Sequence, residues 1–299
     1  MFNDYKLYGN LFPSTAHSPF WKDLAMILLV ASSKDVAGLN IAKQILNQYA
    51  FNKTSKTFQE NPVYQAEING KQVTHITLKE ETINAQNLPN QFTNLDLVIF
   101  ISKHSSTSGT PTLSAHTPGN LGAAELGGLP RKVSISPATA LQNALKALMR
   151  FKEEMQLDYE VSYECTHHGP SLNVPCMFVE LGSSEKQWID SKAAEAVAHA
   201  AMEAITEFSF SECTAVLGIG GPHYNQKFTR MALNNEAIFG HIIPKYAVQC
   251  VDAEILSQCV ERTLEKVDCA ILDWKGIKSQ DKAKLLAALQ EIGLPYKKI

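Results

Sequence analysis

The densest group of chemically reactive side chains lies in one short polar turn. The turn has the sequence CTHHGP at residues 165–170, and Glu164 comes directly before it. The flanking segments within residues 159–182 are apolar, which predicts a buried strand, the turn, and a second buried strand that Glu180 closes. In α/β folds, rigid backbone gives way at strand ends to loops that can carry chemistry. The turn is therefore the first candidate for a functional site.

Histidines recur in other polar turns and loops that follow predicted strands. Together with the adjacent pair in the first turn, the set is His104, His116, His167, His168, His223 and His241. Imidazoles that converge from several strand ends are what a zinc site needs, with Glu164 or Glu180 as a further ligand or as a base. No H-E-x-x-H motif is present, so the spacing alone does not say which histidines bind metal. Hydrogen-bonded structural histidines or substrate contacts are the alternative for each of them.

The residues of the first turn are expected to have different roles. Neighbouring side chains on extended backbone point to opposite sides, so we expect only one of His167 and His168 to face the pocket. Thr166 and Ser171 lie outside any G-x-S-x-G motif, which favours hydrogen bonding over nucleophilic catalysis. Cys165 ends a buried strand, and no C-x-x-C pair occurs among the six cysteines, which indicates buried, reduced thiols.

A second polar turn, GIGGPHY at residues 218–224, follows another apolar run. It lacks the third glycine of a dinucleotide-binding fingerprint, because His223 stands there, and it lacks the Gly-Lys-Ser/Thr of a P-loop. We interpret it as a tight turn whose backbone N–H groups can approach a phosphate or an oxyanion.

The elements that must position these turns alternate between strand and helix. Besides the pair at 159–182, strands are predicted at 24–33, 71–79 (peripheral), 95–102, 213–219 and 268–272. Helices are predicted from 35 to about 51, from the Ser136-Pro137 cap, from a capping box at 184–187 to about 208, from about 252, and at 279–291. The segment 103–132, rich in Ser, Thr, Gly and Pro, predicts a long functional loop. This order predicts a layered α/β/α fold with a mixed, largely parallel sheet.

Composition narrows the class of protein. The chain has 299 residues, 45% hydrophobic and 19% charged, with a net charge of −3, so a nucleic-acid partner would need a local basic patch. No apolar run approaches the ~20 residues of a membrane span, and the N-terminus lacks the pattern of a secretory signal. We expect a cytoplasmic monomer with an N-terminal extension at 1–23 and a single catalytic domain at 24–299.

Several distinctive motifs occur in a fixed order between residues 24 and 276. They are SKHS at 102–105 followed by His116 and GN at 119–120, ECTHHGP at 164–170, FVELGS at 178–183 with Trp188, GIGG at 218–221 with His223-Tyr224, FGH at 239–241, KY at 245–246 and DWKG at 273–276. In this order they resemble the D-aminoacyl-tRNA deacylase family of archaeal and plant type. The resemblance implies a zinc-dependent hydrolase that frees tRNA and a D-amino acid from a mischarged ester. It also implies a fold related to the phosphorylase and peptidyl-tRNA hydrolase group.

Hydrolysis of such an ester needs an activated water, a stabilised oxyanion and a proton for the departing ribose hydroxyl. The predicted metal ligands are drawn from His104, His116, His168, His223 and His241. The predicted catalytic residues are Glu164, Thr166, His167, His168 and Glu180, with Glu164 or Glu180 as base and Thr166 or the amides of residues 220–221 at the oxyanion. The predicted substrate-binding residues are Lys103, Gly220, Gly221, Tyr224 and Lys245.

Two other functions are compatible with the same residues. A zinc peptidase-like hydrolase makes similar demands on a metal, because amide and ester cleavage share a tetrahedral intermediate. A non-catalytic protein that binds the tRNA end could use histidines to stack on unpaired bases. The aromatic content of 8%, with no aromatic stripe near the basic residues, counts against this binder.

Overall fold

The computed structural model describes residues 26–210 and 212–299. The strands are β1 (Met26–Ser32), β2 (Asn52–Phe58), β3 (Asn61–Ile68), β4 (Lys71–Leu78), β5 (Leu95–Lys103), β6 (Thr112–His116), β7 (Gly119–Asn120), β8 (Lys132–Val133), β9 (Glu160–Tyr163), β10 (Cys176–Gly182), β11 (Thr214–Ile219), β12 (Phe239–Ile243), β13 (Lys266–Leu272) and β14 (Tyr296–Lys298). The α-helices are α1 (Val36–Gln48), α2 (Ala138–Glu154), α3 (Glu185–Trp188), α4 (Ser191–Thr206), α5 (Gln226–Leu233), α6 (Ala253–Glu261) and α7 (Ser279–Glu291). The predicted extension at 1–23 lies outside the described residues.

Two sheets organise these elements. The larger sheet has the order β2-β3-β4-β1-β5-β10-β6-β9, and its central strands β4, β1, β5 and β10 are parallel. The smaller sheet has the order β12-β11-β13-β14 and is entirely parallel. The predicted mixed, largely parallel α/β architecture is confirmed, whereas the relation to the phosphorylase group stays a prediction. No helix in the described part of the chain combines the length and apolarity needed to cross a bilayer.

Both faces of the larger sheet are covered, which explains its continuous apolar strands. On β1, Ile27 and Leu29 pack under α1, α2 and α4. Leu28 and Val30 pack on the opposite face, under a segment that carries short 3-10 helices at Thr82–Asn84 and Leu88–Gln91. The smaller sheet is buried on one face by α6 and α7 and on the other by α2 and α5.

Two predictions, for the segments 71–79 and 103–132, were wrong. The segment 71–79 is not peripheral: β4 lies between β3 and β1, and its polar Thr74 and His75 are buried. The segment 103–132 is not one long loop, because it contains β6, which is fully buried between β10 and β9. Ser114 and His116 lie on the face of β6 that reaches the candidate site, so its polar composition reflects function rather than a loop.

The helix caps also differ from the sequence prediction. The predicted capping box at 184–187 begins only the single turn α3, and Asp190 caps the long helix α4 by accepting from the backbone N–H groups of Lys192 and Ala193. At the start of α2, the Glu265 carboxylate accepts two backbone N–H groups, while the Ser136 hydroxyl instead accepts from Thr117. A carboxylate from a distant segment therefore performs the capping that a local serine was expected to perform.

Candidate active site

The candidate site lies between the two sheets, and its first turn is hydrogen-bonded to both. The Glu164 N–H donates to the Ala115 carbonyl of β6 at 3.1 Å. The next two N–H groups reach the segments around the smaller sheet: Cys165 donates to the His223 carbonyl at 3.0 Å, and Thr166 donates to the Ile242 carbonyl at 2.8 Å. These bonds bring histidines from distant parts of the sequence into one volume.

The buried carboxylate of Glu164 is the centre of this arrangement. It accepts from the Ser114 hydroxyl at 2.5 Å and contacts His223 Nε2 at 2.8 Å and His104 Nδ1 at 3.3 Å. His167 Nε2 lies 3.7 Å away and His116 Nδ1 lies 4.0 Å away. Burial raises the pKa of Glu164, but His104 and the other imidazoles outweigh burial and hold this pKa well below its ordinary value.

His104 and His223, the two imidazoles closest to Glu164, are held in their charged form. Burial lowers the pKa of His104, but Glu164 and Glu180 outweigh it and raise the pKa to about 10. For His223, contacts with Cys165 and Glu164 likewise overcome burial and raise the pKa to about 10. The second ring nitrogen of each residue contacts a tyrosine. The Tyr224 hydroxyl lies 2.6 Å from His104 Nε2, and the Tyr246 hydroxyl lies 3.0 Å from His223 Nδ1.

Glu180 lies on β10 beside this charged pair. Its carboxylate accepts from the Ser102 hydroxyl at 2.6 Å and lies 3.7 Å from His104 Nδ1. Burial is the main cause that raises the pKa of Glu180, to about 7, and the nearby negative charge of Glu164 adds to it. A carboxyl group with this pKa exchanges its proton near neutral pH.

Three further imidazoles form a neutral cluster. Burial and neighbouring imidazoles hold the pKa of His116 and of His167 well below the ordinary value, and burial lowers the pKa of His168 to about 4. His167 Nδ1 lies 2.8 Å from the Cys165 carbonyl and His168 Nδ1 lies 2.7 Å from the Gly169 carbonyl. Because a carbonyl oxygen can only accept, both Nδ1 atoms carry the proton and both Nε2 atoms present a lone pair.

The expectation that only one of His167 and His168 faces the pocket was wrong. Their ring centroids are 4.2 Å apart, and both line the same cavity. The alternation rule applies to extended backbone, whereas His168 has a φ of +43°, in the left-handed region.

Three groups of side chains bring donor atoms within 4.8 Å of one another, close enough to hold a metal ion. Their members are His116, His167 and His168 in the first, Cys165, His167 and His223 in the second, and His104, Glu164 and Glu180 in the third. His241 is in none of these groups, which were sought only among the described residues. Its Nδ1 contacts the Thr166 hydroxyl and its Nε2 contacts the Arg262 carbonyl, at 3.0 and 3.2 Å.

Two cavities meet at the neutral cluster. The first has a volume of about 570 Å³, and its wall includes Asp35, Glu81, Lys103, His104, Glu180, His223 and Tyr224. The second has a volume of about 390 Å³, and its wall includes residues 119–123, Thr166, Tyr246 and Gln249. Leu126, His167 and His168 line both cavities, so the imidazole cluster lies between them.

The predicted substrate-binding residues are only partly brought together. Lys103 and Tyr224 line the first cavity, and Lys103 Nζ lies 3.4 Å from Glu81. Lys245 is exposed beside the second cavity. The amides of Gly220 and Gly221 already donate to backbone carbonyls, at 2.8 and 3.3 Å, so neither points a free N–H at the site.

Sequence reasoning missed Ser114 and the acidic wall of the first cavity. Ser114 and His116 alternate with Leu113 and Ala115, which pack in the main core. That period-two pattern was the available signal for β6, although it spans only five residues. Asp35 was assigned only as a helix cap, whereas its second carboxylate oxygen also accepts from the Lys103 N–H at 2.7 Å and the residue lines the cavity.

Comparisons with known proteins agree on one family. A family model described as D-aminoacyl-tRNA deacylase matches residues 91–297. The D-aminoacyl-tRNA deacylase of Thermococcus kodakarensis is 35% identical over 91% of this chain and 99% of its own length. The protein of the same name from Methanocaldococcus jannaschii is 32% identical over the same shares of the two chains. A solved structure described as a conserved protein of unknown function covers 92% of this chain and 95% of its own, with a TM-score of 0.81 and 30% identity.

Proposed function

The chain belongs to the D-aminoacyl-tRNA deacylase family, and from this premise we propose that it hydrolyses the ester between a D-amino acid and the 3′ end of tRNA. The observation that carries the proposal is the convergence of His167, His168, Glu180 and His223 on one cavity. These residues come from segments after or within β9, β10 and β11. Because the site draws on both sheets, the proposal treats them as one catalytic unit.

The carboxylates of the first cavity fit the amino-acid part of this substrate. An aminoacyl ester carries an α-ammonium group, and three carboxylates, from Asp35, Glu81 and Glu180, lie in the cavity wall. The wall also contains the cations Lys103, His104 and His223, so its charge is mixed, and the carboxylates are the groups that can pair with the ammonium. The volume of about 570 Å³ is within the range of small-molecule sites. We therefore assign the first cavity to the aminoacyl group.

The donor chemistry of the neutral cluster fits zinc. His116 Nε2 and His168 Nε2 lie 3.2 Å apart, close to the separation of roughly 3.3 Å expected for two nitrogens bound at 2.0–2.1 Å in a tetrahedral site. The other ring nitrogen of His116, Nδ1, faces the Glu164 carboxylate at 4.0 Å, and a carboxylate in this position orients a zinc-binding histidine. His167 and His168 hold their Nδ1 protons against carbonyls, as zinc-binding histidines do.

We assign zinc to His116, His167 and His168, three neutral imidazoles that would leave a coordination position open. His104, His223 and His241 are not included, because both ring nitrogens of each already contact a carboxylate, hydroxyl or carbonyl group, whereas His168 Nε2 contacts the ring of His116, another member of the cluster. When bound, zinc supplies Lewis acidity, which lowers the pKa of water and polarises an ester carbonyl. The remaining chemistry is assigned to the side chains of the protein.

Glu180 is assigned as the general base. Its pKa of about 7 suits proton transfer at neutral pH, and it lines the cavity. Glu164 is a weaker base because its pKa is depressed, and its assigned role is to hold His104 and His223 in place and charged. Those two imidazolium groups provide positive charge where an oxyanion would develop. His223, the more exposed of the two, is assigned as the proton donor to the departing ribose hydroxyl.

The other predicted residues receive narrower roles. The Thr166 hydroxyl accepts from the Ile242 N–H at 3.2 Å and contacts His241, so we assign it to positioning the turn. Tyr224 is assigned to orienting His104. Lys245 remains a candidate contact for the terminal phosphates, because it is exposed and adjoins the second cavity.

The proposal is tested by measuring deacylation of D-tyrosyl-tRNA and L-tyrosyl-tRNA with metal analysis of the same preparation. We expect hydrolysis of the D-ester, about one zinc per chain, and loss of both on chelation with recovery on adding zinc. Cleavage of a dipeptide but not of the D-ester would instead indicate a peptidase-like hydrolase. Binding of tRNA with no turnover, in protein loaded with zinc, would indicate a binding protein.

A further inference from the structure

Lysines are concentrated at the C-terminal edge of the smaller sheet, around Trp274. We call the following residues the lysine surface: Lys275, Lys278, Lys282, Lys284, Lys297 and Lys298. Residues 274–299 contain these six lysines and two acidic residues, Asp281 and Glu291, of which Asp281 is buried. The whole chain, by contrast, has a net charge of −3. This edge is therefore a local basic region on an acidic protein.

Two of these lysines pack on one tryptophan ring. Lys282 Nζ lies 4.4 Å and Lys298 Nζ lies 3.9 Å from the centre of the Trp274 ring. Within the described part of the chain, no member of the lysine surface forms an ion pair, whereas Lys227 pairs with Asp273, the residue before Trp274. The ring attracts both ammonium groups but does not neutralise them, so each can still pair with a phosphate.

The lysine surface is connected to the candidate site by direct contacts. The Gly276 carbonyl accepts from the Gly221 N–H at 3.3 Å, and the Gly221 carbonyl accepts from the Lys245 N–H at 2.9 Å. The next residue, Tyr246, contacts His223 and lines the second cavity. On the other side, Lys284 Nζ donates to the carbonyl of Gln249, which also lines this cavity, at 3.1 Å. The lysine surface therefore adjoins the second cavity.

We propose that the lysine surface binds the phosphate backbone of the tRNA acceptor stem, so that the 3′ end enters the site through the second cavity. The inference rests on the proposed function, since it takes tRNA as the substrate. Phosphate contacts from lysines position a nucleic acid without reading its sequence. That property suits an enzyme that must accept many tRNAs and act only at their common end.

The test uses the charge-reversal variant Lys282→Glu/Lys298→Glu. The matched control is Lys53→Glu/Lys56→Glu, which makes the same change in net charge on exposed, unpaired residues of the edge strand β2. Binding of uncharged tRNA is measured by fluorescence anisotropy between 50 and 200 mM salt. For the lysine-surface variant we expect at least a tenfold higher Kd and a salt slope smaller by about two, one for each lost phosphate contact. The control should stay within twofold of the wild type.

Kinetic measurements with two substrates distinguish an effect on tRNA binding at the lysine surface from an effect on the catalytic centre. On D-tyrosyl-tRNA, the lysine-surface variant should lose at least tenfold in kcat/KM, mainly through KM. On the D-tyrosyl ester of adenosine, which has no acceptor stem, it should stay within twofold of the wild type. If the variant proves unstable to heat, Lys275→Glu/Lys278→Glu, both exposed, replaces it.

Several outcomes would overturn the proposal: unchanged tRNA binding, an equal effect of the control, or equal losses on both substrates. Binding to vesicles that contain phosphatidylglycerol is measured as well. If vesicle binding depends on these lysines and tRNA binding does not, the lysine surface is a membrane-binding surface instead. If the wild-type protein binds tRNA through the lysine surface but cleaves neither substrate, the proposed function is wrong and the proposal for the lysine surface still holds.

Discussion

The two halves of the candidate site contain the same kind of side chain in opposite charge states. His104 and His223 lie 3.3 and 2.8 Å from the Glu164 carboxylate, and the pKa of each is raised to about 10. His116 and His167 lie 4.0 and 3.7 Å from the same carboxylate, and the pKa of each is lowered. The charged imidazoles thus lie 2.8–3.3 Å from the carboxylate, and the neutral ones lie 3.7–4.0 Å from it.

The contrast teaches that the role of a histidine is set by its contact with a carboxylate rather than by burial alone. Burial disfavours the charged form in both halves, because a low dielectric penalises charge. At His104, contacts with Glu164 and Glu180 reverse that effect, and at His223, contacts with Cys165 and Glu164 do so. The neutral half can offer lone pairs to a metal ion, and the charged half can offer protons and positive charge.

The largest expected effect comes from removing one member of the neutral half. In His168→Ala, we expect bound zinc to be lost and deacylation of D-tyrosyl-tRNA to fall by about 1,000-fold or more. The control is His199→Ala, because His199 lies on α4, hydrogen-bonds Tyr49 and lines neither cavity of the site. Zinc content and turnover measured together check this prediction, and normal zinc content in His168→Ala would refute the assignment of the ligand.

The second prediction concerns a variant that removes the difference in charge between the two halves. In Glu164→Gln the charge that stabilises both imidazolium groups is gone, so the pKa of His104 and of His223 should fall below 7. We expect kcat to fall by about 100-fold, since positive charge at the oxyanion is lost. NMR of the ring nitrogens checks this: in the wild type at pH 8 both rings should be doubly protonated, and in the variant both should be neutral. Unchanged ring signals would show that Glu164 does not set these charges.

The smallest expected effect concerns Glu180, next to the charged half. The Ser102 hydroxyl stabilises the Glu180 carboxylate, so Ser102→Ala should raise a pKa that is already about 7. A general base works when deprotonated, so activity is lost as the pH falls through this pKa. The acid limb of kcat/KM should therefore move to higher pH, with about a tenfold loss at pH 7. The control Ser162→Ala, whose hydroxyl donates to a backbone carbonyl, should leave the limb in place.

Much of the site could be predicted because strand ends concentrate polar residues between apolar runs. The carboxylates at 164 and 180 and five of the six histidines in turns or loops fall within one neighbourhood. The charge states could not be predicted, because they depend on distances across the fold, such as those from Glu164 to His104 and His223, which are 60 and 59 positions away in the sequence. His241 shows the limit most clearly: it follows the same pattern as the others but is fully buried and satisfied by Thr166 and a backbone carbonyl.

The fold was predictable where a strand is buried on both faces and long enough to form a continuous apolar run. Thus the predicted strands at 95–102 and 213–219 match β5 and β11 within one or two residues. The hairpin of β2 and β3 was missed, because its residues are polar and half-exposed. The strand β6 was missed because its side chains serve the site, so its sequence resembles a loop.

The hydrogen bonds that fasten the first turn to both sheets have a consequence for how substrate enters. The Glu164 N–H donates to β6, and the N–H groups of Cys165 and Thr166 donate to the segments around the smaller sheet. A hinge motion that separated the sheets would break these bonds and scatter the imidazoles. These bonds therefore favour a preformed site over one that closes around its substrate. Selection for the handedness of an amino acid would then depend on the fixed shape of the cavity wall.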